Sequence, residues 1–215
     1  MANAIQILAE AYRQLNLAEP VSFLDTQFPG KIAKDIINKV IRETNRLGNL
    51  WFMETETLLP YSPGQSQIDL SGMGIDPNRI RYIRKSVNSI TSELYPQEYR
   101  LFQQYFRSSS LVTRIPSYYS KFGKNLYFDS IPDQNYAITV YHFTDMPLVT
   151  APSDTFLIPE RDEDIFIDSC SAVLSARIGK ISEAEAIGLI KIKMSPFLVQ
   201  IKSDLSTARQ MPASF

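Results

Sequence analysis

Among the side chains best suited to act as nucleophile or general base near neutral pH, His142 and Cys170 are each the sole residue of its kind in the chain. A Ser-His-Asp triad or a zinc centre would have to be built on His142, yet no HExxH or GxSxG motif accompanies it. His142 falls instead in an alternating apolar stretch, where a packed or hydrogen-bonded structural histidine is the expectation. Cys170 stands beside Val173 and Leu174 on the apolar face of a helical pattern, where a thiol acts as a small buried hydrophobe. A single cysteine allows no intramolecular disulfide and no Cys-rich zinc site, so nothing calls for an oxidising compartment.

Other groups with chemical potential read the same way. Gly72-Met73-Gly74 lacks the third glycine and the following helix of a dinucleotide loop, and Pro29-Gly30-Lys31 lacks the glycine spacing that cradles phosphate, so both are expected to be turns. The acidic run Glu160, Asp162, Glu163 and Asp164 lacks the glycine and alternating ligands of a calcium loop. Its carboxylates suit the positive end of a helix dipole. Neither a metal nor a cofactor is expected. The basic cluster Arg79, Arg81, Arg84 and Lys85 could meet an acidic partner or, more weakly, phosphate, with Arg79 and Arg81 sharing one face of a strand. A solvated strand face is the plainer reading of that cluster. The aromatics Tyr95, Tyr99, Phe102 and Phe106 recur at helical spacing without interleaved cations, which points to core or subunit-interface packing rather than base stacking.

These residues need elements to hold them. Ile5, Leu8, Ala9, Tyr12 and Leu15 predict a short amphipathic helix. Ile32, Ile36, Ile37, Val40 and Ile41 predict a second over Lys31 to Leu47, stopped by Gly48. From Trp51 to Pro159 the period changes to two. Strands are expected around Met53 to Thr57 and Tyr136 to Phe143, with shorter ones at Gln67 to Leu70, Ile80 to Val87 and Asn125 to Asp129. The Tyr95 to Phe106 stripe predicts one local helix inside this block. Helical character returns with Phe166, Cys170, Val173, Leu174 and Arg177, closed by Gly179. A last helix opens on the capping box Ser182 and Glu185 and runs through Ile187, Ile190, Met194, Phe197, Leu198, Ile201 and Leu205, kinked near Pro196.

The expected fold is therefore α+β: a four-helix bundle of N- and C-terminal helix pairs (1–50 and 160–205) carrying an inserted β-rich block (51–159). Residues 206–215 form a flexible docking tail in this reading, with Arg209, Met211, Pro212 and Phe215 as its contact residues. With 44% apolar residues the chain can bury its own core, and 22 basic against 23 acidic residues give no cationic field for gripping DNA. No leader-like start or membrane-span run is expected, which fits an origin in the cytosol.

Two stretches carry a resemblance. Ile36-Ile37-Asn38-Lys39-Val40-Ile41-Arg42-Glu43 with Leu50-Trp51-Phe52 and Glu54-Thr55-Glu56-Thr57-Leu58-Leu59-Pro60 resembles the helix, tryptophan turn and first strand of tail tubular protein A-like phage adaptors. Pro116-Ser117-Tyr118-Tyr119, Asn125-Leu126-Tyr127-Phe128, Ile131-Pro132-Asp133 and Tyr136-Ala137-Ile138-Thr139-Val140-Tyr141 resemble the same adaptor and connector proteins of tailed bacteriophages. The resemblance implies a non-enzymatic virion protein: a homo-oligomeric ring, usually dodecameric, beneath the portal of a filled head. Portal and tail or nozzle proteins would be its partners, and genomic DNA would pass through its channel without specific binding. Another neck or tail ring protein is the alternative, and a small virion-associated enzyme a more distant one.

Overall fold

The computed structural model describes residues 2–23, 30–87, 90–107, 112–156 and 158–199. In chain order its elements are α1 (Ala4–Gln14), α2 (Gly30–Leu47), β1 (Glu54–Tyr61), β2 (Gln67–Asp69), β3 (Ile80–Val87), β4 (Ile90–Gln97), α3 (Tyr99–Phe106), β5 (Tyr118–Phe122), β6 (Asn125–Phe128), β7 (Tyr136–Phe143), α4 (Glu163–Arg177) and α5 (Glu183–Met194). They form two compact units, residues 2–53 with 145–199 and residues 54–144.

In the first unit α4 packs against α1, α2 and α5, and α2 against α5. Helix α1 starts at a capping box in which Asn3 and Gln6 satisfy each other's free backbone N–H, and it buries Ala4, Ile7, Leu8, Ala11 and Tyr12. Helix α2 buries Ala33, Ile36, Ile37, Val40 and Ile41. Along the same helix Asn38 and Asn45, two turns apart and hence on one face, each clasp an extended segment. Asn38 Nδ2 donates to Val149 O at 3.0 Å and its Oδ1 accepts from Val149 N at 2.8 Å. Asn45 does the same to Met146, both bonds at 3.0 Å. These amides give a buried non-helical, non-sheet backbone the partners it must have. Helix α5 opens on its capping box, with Glu185 accepting from Ser182 N at 2.7 Å and Ser182 Oγ from Glu185 N at 3.2 Å.

The second unit is one seven-stranded sheet in the order β1-β7-β3-β4-β5-β6-β2, curled into a nearly closed barrel. All seven strands send apolar residues into one core, among them Leu59, Ile68, Ile83, Leu94, Tyr119, Phe128 and Val140. Tyr61 on edge strand β1 donates to Ser130 O just beyond β6 at 2.7 Å, and Phe128 N extends the β2–β6 ladder by donating to Ser66 O at 3.2 Å. Every pairing is antiparallel except β4 with β5. A parallel pair needs a crossover, and α3 lies in it, stacking Tyr99 on Phe122 and Phe106 on Tyr118.

Three expectations are corrected. Over the described residues the chain is a mixed α/β protein with a barrel-like sheet and five helices, not a four-helix bundle with an inserted β block. Amphipathic periodicity says that a helix has a buried side without saying what covers it. Here α4 is the hub, no packing comparable to its own joins α1 to α5 among the described residues, and the strands enclose a core of their own. The helix over Tyr95 to Phe106 is really strand β4 followed by α3. Within β4 only Leu94 and Gln97 are buried, so its two-residue period is faint and Tyr95 mimics a helical position. The last helix stops at Met194, where the turn Ser195–Phe197 places Pro196 at its start, and Leu198 bridges to Leu50. Proline ends the helix rather than kinking it. Ile201, Leu205, Arg209, Met211, Pro212 and Phe215 lie outside the described residues.

Candidate interaction surface

His142 and Cys170 are packed away from solvent. His142 is 2% exposed, with Nε2 3.0 Å from Thr57 Oγ1. Burial first, then the Arg79 charge, hold its imidazole below the usual histidine range, against a backbone hydrogen bond at Phe143 that acts the other way. Cys170 is fully buried and burial pushes its thiol far up, away from the thiolate that nucleophilic chemistry requires. Glu163 accepts from Ala2 N at 2.7 Å, and Arg161, paired with Asp162, lies over the Trp51 ring. Among the described residues no cluster of His, Cys, Asp and Glu could hold a metal, and no helix is long and apolar enough to cross a membrane.

His142 makes a testable pH dependence. Its folded pKa is depressed, so below about pH 6.5, the unperturbed histidine value, the unfolded chain takes up a proton that the folded barrel does not, and stability falls with pH until the folded pKa is reached. One group limits the slope to about 1.4 kcal/mol per pH unit. The carboxylates held below their usual range, Asp69, Asp154, Glu183 and Glu185, lose their contribution only at more acid pH. Thermal melts of wild type between pH 7 and 5 should show the decline and His142→Gln should flatten it. Parallel declines would mean that His142 is not the cause.

The sequence had singled out Arg79, Arg81, Arg84 and Lys85, and the structure separates them. Arg79 closes the 3-10 turn Pro77–Arg79 and is half-buried. Lys85 donates to Pro116 O, and burial, only partly countered by Asp129, lowers its pKa. Arg81 and Arg84 remain on the outside of the barrel. A bulge in β3 is the reason: Ile80 pairs with His142 and Tyr82 with Tyr141, so Arg81 is the additional residue. The bulge breaks the two-residue period, keeping Ile80 and Ile83 in the core while Arg81, Tyr82 and Arg84 point away from it.

Register then brings in residues that the sequence reading did not select. Tyr141 lies between Tyr82 on β3 and Glu56 on β1, and in the next row Thr139 lies between Arg84 and Leu58. Cross-strand neighbours share a face. The Tyr82 and Tyr141 rings stack at 4.3 Å between centroids, 22° from parallel. Arg84 lies over both, its Cζ 5.0 Å from one centroid and 5.4 Å from the other. Arg81 is paired with Glu54. Leu58 is 66% exposed, and a shallow groove beside it is lined by Glu54, Thr55, Glu56, Tyr82 and Tyr141. The available signal in the sequence was a tyrosine on the outward register of each strand, but which tyrosine meets which is set by strand pairing alone.

Compared with known proteins, the chain matches the family model described as SU10 adaptor protein over residues 2–176. No curated protein matches it.

Proposed function

The chain belongs to the SU10 adaptor protein family, a family of structural phage adaptors, and from this we propose that it is the head-to-tail adaptor of a virion neck. The observation that carries the reading is the extent of the match, which takes in α1, α2, the whole barrel and nearly all of α4. In this reading copies of the chain form a ring, most simply of twelve, beneath the portal of a filled head. Heterologous side-to-side contacts close it by rotation. The ring continues the channel to the tail, and DNA passes without being gripped, in keeping with a net charge of −1. The protein is made in the host cytoplasm and acts without cofactor or catalytic centre. Arg81 and Arg84 belong to a partner-binding face, and residues 206–215, with Arg209, Met211, Pro212 and Phe215, form a docking tail.

The test is attachment. Purified protein mixed with DNA-filled, tailless heads should add a ring at the portal vertex in electron micrographs. Protein truncated after Leu205 should keep its helical content and melting temperature yet fail to attach. Density at a baseplate instead of the neck would sink the adaptor reading, and unchanged attachment of the truncated chain would sink the docking tail alone.

A further inference from the structure

The outer face of β1, β7 and β3 has the chemistry of a receptor. We infer that it binds an extended segment of a partner protein, taking a carboxylate on Arg84, a cationic side chain on Glu56 and an apolar residue between them over Leu58 and the Tyr82–Tyr141 pair. The assignment of ligand chemistry rests on the barrel's geometry, and only the identity of the partner that carries the segment rests on the adaptor reading.

Neither Arg84 nor Glu56 has an ion-pair partner among the described residues, whereas neighbouring Arg81 is neutralised by Glu54. Arg84 lies within cation–π range of both stacked rings, a contact that restrains the side chain, and a guanidinium carries the fork of donors that binds a carboxylate bidentately. Exposed Leu58 and the aromatic pair add an apolar strip beside the two charges. The spacing is set by the sheet. Arg84 and Glu56 stand two strands and one row apart, so strand separations of ~4.8 Å and a two-residue rise of ~6.7 Å place them ~12 Å apart. An extended chain covers that distance in about three to four residues.

A nucleic acid fits this face poorly. Glu56 lies in the groove and Glu93 pairs directly across from Arg84 on β4, and a duplex that brings one phosphate per ~3.4 Å of strand would meet these carboxylates at once. A segment with one acid and one base brings a single negative charge near Glu93 and sets its base against Glu56, so most of that repulsion is replaced by attraction.

The probe is the peptide acetyl-Glu-Thr-Val-Thr-Lys-amide, titrated into the isotopically labelled full chain while the backbone amide signals of Tyr82, Arg84, Thr139 and Tyr141 are followed by NMR. Those signals should move together with a dissociation constant of about 1 mM, the range of a few exposed contacts. The peptide with Gln at both charged positions should bind at least about fivefold more weakly, as should Arg84→Met with the original peptide. Glu56→Lys should weaken the original peptide and restore binding to acetyl-Glu-Thr-Val-Thr-Glu-amide. This charge reversal decides the matter if Arg84→Met fails to fold. The proposal is overturned if the Gln peptide binds equally well, if these signals stay still, or if they move with protein concentration alone, which would make the face a contact between copies. It is overturned equally if a twelve-base-pair duplex moves them and displaces the peptide. No portal or head enters this experiment, so its failure and that of the adaptor reading are separate events.

Discussion

Asp129→Ala should destabilise the barrel by about 3 kcal/mol, and Asp129→Asn by somewhat less. The carboxylate has no exposed side-chain surface. One oxygen accepts from Arg114 at 2.9 Å, the other from the backbone amides of Ser117 and Tyr118 at 2.9 and 3.1 Å. These bonds moor the approach to β5 onto the end of β6, and Ser130 Oγ adds a bond to Arg114 O at 3.1 Å. Alanine leaves two inward-facing N–H groups without an acceptor, each worth about 1–3 kcal/mol when buried. Arg114 is 52% exposed and can return to water, which keeps the loss below that of a fully buried broken pair. Asparagine preserves one acceptor for the amides but turns its NH2 toward the guanidinium, donor against donor. Urea unfolding followed by tyrosine fluorescence, dominated by the barrel, should give the order wild type, Asn, Ala. A variant within about 0.5 kcal/mol of wild type, the range of an ordinary surface change, would show that Asp129 is not the mooring.

The second large effect belongs to the asparagine clasp of the helical unit. Asn38→Leu strips both partners from Val149, which is 3% exposed, and should cost about 2–4 kcal/mol. Asn38→Asp is no remedy, because it keeps the acceptor for Val149 N but sets a carboxylate oxygen against Val149 O. The double variant with Asn45→Ala should cost less than the sum of the single changes. Both clasps hold one short segment, and once Asn38 is gone Val149 is free to move and Met146 has less order to lose, the kind of coupling that double-mutant cycles detect. Strict additivity in thermal or urea unfolding would show that the two clasps act independently.

The candidate surface was half-legible. Arg81 and Arg84 stand out as charges clustered in a strand, and their exposure follows from that. Lys85, in the same cluster, is drawn to a backbone carbonyl, Arg79 falls in the 3-10 turn that precedes β3 and so shares no strand face with Arg81, and the bulge at Arg81 is one that no local pattern announces. Tyr82, Tyr141, Glu56 and Leu58 were invisible as a group, since each is unremarkable until its strand is paired. The likeness to phage adaptors was legible from the segments around Trp51 and Pro132, and it holds at the level of the family.

What the sequence determined by itself is whatever has a local cause. Helix α2 follows from Ile36, Ile37, Val40 and Ile41 at helical spacing, the start of α5 from the reciprocal bonds of Ser182 and Glu185, and β7 from an alternation buried at Tyr136, Ile138 and Val140. The tertiary structure alone decided what those elements pack against. Strand β4 exists because β3 and β5 supply its hydrogen-bond partners, although its own residues barely alternate. The sheet curls into a nearly closed barrel, and the helices gather around α4 instead of forming a four-helix bundle, because an apolar stripe specifies burial but not the surface that buries it. Asn38 and Asn45 read as ordinary helix residues until Met146 and Val149 arrive. Each of these outcomes is a pairing between residues distant in the chain, and its free energy appears only once the chain has closed the loop between them.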